Sequence, residues 1–211
     1  MTNEIENKTI INEIENKTLS LDDLIKLMLG YMNDGYYFLG DHCKKVATVS
    51  CAILDKLGIN GQDKEIVKYA ALLHDIGKLS IPKDILLAPR VLSDNEFEII
   101  KQHPVTGFRM IKHINTLSDI NLLILYHHYR QGFGYPLNPE TETTNKPDTI
   151  LTDILSVADS YSAISEKRIY NVWNIKHSAV IKIIQNENDL KNKGINQEIV
   201  NVLSTINIKK L

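Results

Sequence analysis

Five histidines and two aspartates, His42, His74, Asp75, His103, His127, His128 and Asp159, each fall on a predicted helix or at its end. Imidazole nitrogens and carboxylate oxygens suit borderline or hard first-row metals, and a carboxylate can bridge two ions while each neutral imidazole caps one. Seven such groups suit two metals better than one. With Asp75 as the bridge and the histidines divided between the ions, positions stay open for a shared water and for substrate oxygens. That is the arrangement of a two-metal hydrolase.

The other two histidines, His113 and His177, stand alone and read as satisfied or surface residues. The pair His127 and His128 is harder to set aside, because helix neighbours point about 100° apart and share a site only if it lies against the helix. An apolar run at 69–73 buries the helix that leads into His74 and Asp75. Lys78 follows His74 by four residues and Asp75 by three, so a continuing helix would place it over the same face. A cation beside two metals suits an anionic substrate; the macrodipole alone also favours a lysine at a helix end.

The segments carrying these groups read as helices punctuated by caps. Ser20 with Asp23 resembles a capping box, after which Leu21, Leu24, Ile25 and Met28 recur at helical spacing. Helices are predicted over 37–57, with Gly58 as a left-handed stop, and over 63–76, with Gly77 where that helix can end. A short turn opens at 80–82. Ser93 and Glu96 form the clearest capping box, and Pro104 should interrupt their helix just after His103. Further helices are expected over 118–129, 149–165, 178–186 and 196–205, and strand-like alternation is scarce. Residues 132–148 form one long loop broken by Pro136, Pro139 and Pro147. The fold class is all-α, a helical bundle over 20–211. Ahead of it lies a polar leader, 1–19, in which NEIENKT at 3–9 recurs at 12–18 as a local tandem duplication.

The 211 residues suit one core of ordinary size and a short extra segment, so a separate sensor domain is not expected among them. Its 24 basic and 26 acidic residues argue against a global surface for a nucleic-acid polymer or an anionic membrane, so any phosphate-binding charge must be local. The longest apolar runs fall far below the roughly 18 residues of a membrane span. No signal-peptide pattern opens the chain, and Cys43 and Cys51 fit reduced thiols, so the expected location is the cytoplasm.

The segment AALLHDIGKLSIPKDIL at 70–86 resembles the defining helix of HD-domain phosphohydrolases. HHYRQGFGYP at 127–136 and ILSVADSYSAISEKRIY at 154–170 resemble their HD-GYP branch. The likeness covers about 40–170 and combines the HD doublet, HP-x-x-G at 103–107, HH, GYP and VAD. It implies an HD-domain helical bundle with a buried binuclear metal centre, commonly two divalent iron or manganese ions. The implied activity is hydrolysis of cyclic di-GMP to the linear dinucleotide and, in many members, to GMP. By position, His42, His74, Asp75, His103, His127, His128 and Asp159 match the metal ligands, and Lys78 matches a lysine near the scissile phosphate. Arg168 matches an arginine that contacts substrate phosphate, and Gly134, Tyr135 and Pro136 form the signature loop. Tyr135 is a candidate to stack on a guanine or to hold the loop.

The departures concern the residues around the ligands. His128 is followed by Tyr129 where glutamate is usual, Gln131 replaces the acidic residue before Gly132, and the segment is one residue short. Ser162 stands where an aspartate is usual, Asp153 where an arginine is common, and Asn171 where a basic residue is frequent. Members with a third metal carry a glutamate where this chain has Phe38, which favours a binuclear site. These changes leave other readings open: a hydrolase of another cyclic dinucleotide or nucleotide, a di-iron oxygen-activating centre, or a catalytically weak nucleotide-sensing module. That module would dock on a diguanylate cyclase or a regulatory protein.

Overall fold

In the computed structural model the described residues are 20–36, 38–130, 133–166, 175–186 and 194–208. The leader at 1–19 lies outside them. Helix α1 (Leu21–Gly35) starts at Ser20, whose hydroxyl oxygen accepts the Asp23 backbone N–H at 3.1 Å. The reciprocal half of a capping box is replaced by a bond between the two side chains, Ser20 Oγ donating to Asp23 at 2.6 Å. Helix α2 (Leu39–Leu57) ends on Gly58 at φ 74°, a left-handed stop that costs glycine no steric strain.

Helix α3 (Gln62–Leu73) stops short of the expected end at 76. His74 closes it and Asp75 leads into a 3-10 turn, Ile76–Ser80, so Lys78 does not lie on a continuing α-helix. The tighter turn lets Gly77 meet the next helix backbone to backbone. A Cβ on Gly77 would lie 2.0 Å from the His103 carbonyl oxygen. After the short α4 (Lys83–Leu86), α5 (Asp94–Ile100) opens on the full Ser93–Glu96 capping box. Pro104 then sits in the first turn of a new helix, α6 (His103–Ile111), where its missing N–H costs nothing.

Helix α7 (Ser118–Tyr126) also ends before its expected limit of 129. The chain turns at His127 and His128 into a minimal antiparallel hairpin of β1 (Tyr129–Arg130) and β2 (Phe133–Gly134), with Tyr129 opposite Gly134. The long loop expected at 132–148 therefore begins in a strand and contains a 3-10 turn, Pro139–Thr141. Helix α8 (Thr149–Ser165) has the expected limits and is capped by the Asp148 carboxylate. Helices α9 (His177–Ile184) and α10 (Gln197–Ser204) follow, the first shifted slightly from 178–186 and the second capped by Asn196.

The core lies where α2 packs on α3 and α8 while α3 also packs on α7. Ile53, Leu54, Leu73, Ile124, Ile154 and Leu155 are fully buried there. The candidate site residues sit near the starts of α2 and α6, at the ends of α3 and α7 and in the middle of α8. No described helix is long and apolar enough to cross a membrane.

Candidate metal centre

Residues from five helices or their ends converge on one buried point. His42 comes from the first turn of α2, His74 and Asp75 from the end of α3, His103 from the start of α6, His127 and His128 from the end of α7, and Asp159 from the middle of α8. His74, Asp75, His103 and His127 are at most 1 % exposed. Ligand atoms of three triads, His42/His74/Asp75, His74/His127/Asp159 and His103/His127/His128, lie within 4.8 Å of one another and could each hold a metal ion.

The two carboxylates each face both sides of this cluster. Asp75 turns Oδ1 toward His103 Nε2 at 3.2 Å and Oδ2 toward His74 Nε2 and His42 Nε2 at 3.5 and 3.7 Å. Asp159 turns Oδ1 toward His42 Nε2 at 3.1 Å and Oδ2 toward His128 Nε2 at 3.8 Å. The backbone sets the imidazole rings. Nδ1 of His74, His103 and His127 donates to the carbonyl three residues earlier, Ala71, Ile100 and Ile124, at 2.8, 2.8 and 2.7 Å. In neutral rings this places the lone pair on Nε2, the atom aimed into the cluster.

Electrostatics divide these groups into those held in a ligating state and two histidines that hold their protons. Burial alone would raise the Asp75 carboxyl, but Lys78 and the surrounding histidines outweigh it and keep it well below the usual range. Asp159 is held down in the same way, with His42 and His74 outweighing burial. Burial pushes His103 and His128 well down and His127 to about 4, so all three are neutral near pH 7. For His42 and His74 burial opposes the charge, but the neighbouring carboxylates win and raise both.

Lys78 donates to Asp75 Oδ2 at 2.6 Å and is 16 % exposed, which puts its ammonium at the rim of the cluster. Gly134, at φ 83°, lies so close to the His128 carbonyl that a Cβ would come within 1.9 Å of that oxygen. The Tyr135 N–H donates to the same carbonyl at 3.2 Å, and the Tyr135 ring packs 4.4 Å from His128 and 5.9 Å from His103. Pro136 follows Tyr135 through a cis peptide. Arg168 lies outside the described residues, as does Asn171. His113 is exposed, and His177 Nδ1 meets the Tyr161 hydroxyl at 3.0 Å, away from the cluster.

Two side chains that lie in the segments at 127–136 and 154–170 but have no assigned role there also bear on the site. Glu166 reaches His42 Nδ1 with both carboxylate oxygens, at 3.1 and 3.0 Å. Arg130 lies along α8, donating to Ser156 Oγ at 3.2 Å and Ser160 Oγ at 2.9 Å, beside Asp159. A cavity of about 340 Å³ opens on the far side of Arg130, between Tyr129, Lys146, Asp153 and Asn196, and no member of the histidine cluster lines it.

A family model described as the HD domain matches residues 39–164. A cyclic di-GMP phosphodiesterase of Thermotoga maritima is 37 % identical over 132 residues, which are 61 % of this chain and 35 % of that protein. A cyclic di-GMP phosphodiesterase of Pseudomonas aeruginosa is 30 % identical over 154 residues, 72 % of this chain and 36 % of that protein. The chain thus spans about a third of the length of these curated relatives. The crystal structure of the L. monocytogenes phosphodiesterase PgpH HD domain in complex with cyclic-di-AMP matches with a TM-score of 0.58 at 20 % identity, covering 84 % of this chain and 91 % of that one. At that identity the likeness is one of fold.

Proposed function

The chain belongs to the HD-domain family, and from that premise we propose that it is a metal-dependent phosphodiesterase that hydrolyses cyclic di-GMP to the linear dinucleotide and on to GMP. One observation carries the reading: buried imidazole nitrogens converge with two carboxylates while the outward nitrogens of three rings are already tied to the backbone. The arrangement fits cations. His74 Nε2 and Asp75 Oδ1 are buried with no hydrogen-bond partner. His103 Nε2 and His127 Nε2 face each other at 3.2 Å, and in neutral rings both carry lone pairs, so a cation between them removes a repulsion.

His42, His74, Asp75, His103, His127, His128 and Asp159 would hold two divalent ions, iron or manganese. When bound, such ions make water a nucleophile near neutral pH and offset charge developing on phosphoryl oxygens. The protein supplies orientation and donors. Lys78 keeps two N–H donors beyond the one given to Asp75, enough to hold a non-bridging phosphate oxygen at the rim. Gly134 and Tyr135 fix the His128 carbonyl, which keeps the histidine pair turned inward. Pro136 continues that loop, the half-buried ring of Tyr135 offers a surface on which a guanine can stack, and Arg168 is the candidate to orient the phosphodiester through its planar fork. A diguanylate cyclase or regulatory protein is a candidate partner.

The test is elemental analysis of protein purified without oxygen, followed by turnover assays after iron or manganese loading. Cyclic di-GMP should be cleaved faster than other cyclic dinucleotides and simple phosphodiesters. Equal or faster cleavage of another cyclic dinucleotide would transfer the assignment to that substrate, the outcome favoured by the altered segment between His128 and Gly132. Tight nucleotide binding without cleavage in a fully metallated sample would replace the enzyme reading with that of a sensing module.

A further inference from the structure

We infer that Glu166 is a positioning residue that makes the two metal positions unequal; the inference rests on the reading of the histidine cluster as a metal centre. Four rings have their Nδ1 held in place, and one differs in kind. His74, His103 and His127 donate to neutral carbonyl oxygens, whereas His42 Nδ1 faces the Glu166 carboxylate at 3.0 and 3.1 Å. A carboxylate behind an imidazole draws its proton more strongly than an amide oxygen does. The opposite nitrogen becomes the richer donor and the ring loses freedom to turn.

Glu166 is itself held from two sides. Its N–H donates to the Ser162 carbonyl at 3.0 Å as α8 ends, and Lys45 lies 3.9 Å from its carboxylate while donating to Ser165 Oγ at 2.8 Å. The carboxylate thus links the ends of α2 and α8 behind one ligand. His42 stands with His74 and Asp75, and it is absent from the His103, His127 and His128 triad. Glu166 therefore acts on the position nearest α2 and leaves the other to rings backed by the main chain. The α2-side position is the first to fill and the last to empty.

Glu166 is 22 % exposed, so changing it opens no core cavity. The experiment titrates metal-free wild type, Glu166→Gln and Glu166→Ala with manganese by calorimetry, counts ions per chain after dialysis against a weak chelator, and records the melting temperature of each metal-free protein. Wild type should bind two ions in two phases. Losing the carboxylate that also steadies the His42 ring should lower the metal-free melting temperature of both variants while keeping a single cooperative transition. Both should show the tighter phase weakened by about 10- to 100-fold with the other unmoved, and retain one ion after dialysis. A wild type that binds no ions would refute the metal centre itself. A wild type with two ions whose variants keep both phases in place, or lose affinity equally in both, would overturn the role of Glu166 while leaving the centre intact.

Discussion

Asp75 is where the chemistry of the cluster and its charge balance meet. Its two oxygens face different sides, His103 on one and His42 with His74 on the other, and Lys78 completes the contact at 2.6 Å. Asp75→Ala should therefore abolish retained metal together with phosphodiesterase activity; elemental analysis that still finds both ions would refute the bridging role. At this scale the sequence was most informative about which side chains would meet, because histidines and aspartates next to apolar helical runs are carried inward together. Glu166 was not legible. It lies 124 residues from the histidine it supports, and an acid at a helix end is ordinarily solvated. Ser162, one turn earlier, replaces the aspartate usual in the resemblance, and its hydroxyl is buried without a partner. Arg130 was equally hidden, since its serine partners on α8 form no recognisable pattern.

Between elements, the decisive contacts are those where main chain meets main chain. The 3-10 turn carrying Asp75 touches α6 at Gly77, where a Cβ would lie 2.0 Å from the His103 carbonyl and 2.6 Å from the Gly107 nitrogen. A methyl group there must push apart the two segments whose side chains, Asp75 and His103, stand 3.2 Å from each other. Gly77→Ala should therefore lower stability by about 1–3 kcal/mol and also release metal, measured by denaturant unfolding and elemental analysis on the same sample. Ser93→Ala gives the contrast. It removes a cap remote from the cluster and should cost about 1 kcal/mol without changing metal content. The Ser20 and Ser93 caps were legible because serine before an apolar period acts through a bond only three residues away. The ends of α3 and α7 were not, because apolar periodicity ran on while the turn was decided by Gly77 against α6 and by Gly134 against His128.

Taken as a whole, the molecule carries 24 basic and 26 acidic residues, so its capacity for an anionic substrate depends on what the cluster binds. Protons compete for that cluster, and the direction of the competition can be worked out. His42 and His74 are raised above 6.5 in the folded protein, where carboxylates outweigh burial; their stabilisation is complete below that value and is lost as pH rises through their folded pKa. His103, His127 and His128 are lowered by burial, His127 to about 4, so the unfolded chain binds their protons more strongly and acid below pH 6.5 destabilises the fold. These five groups give the metal-free protein its greatest stability near pH 6.5. A divalent ion must displace the protons on His42 and His74, so its affinity rises with pH over the range in which the metal-free protein weakens. At free metal a hundredfold above the dissociation constant, binding adds about 2.7 kcal/mol. The melting-temperature gap between manganese-loaded and metal-free protein, measured by calorimetry at constant free manganese, should therefore widen from about pH 6.5 to about pH 8. A gap that stays constant or narrows would mean that the ions do not bind through His42 and His74, and the two-metal assignment would fall with them.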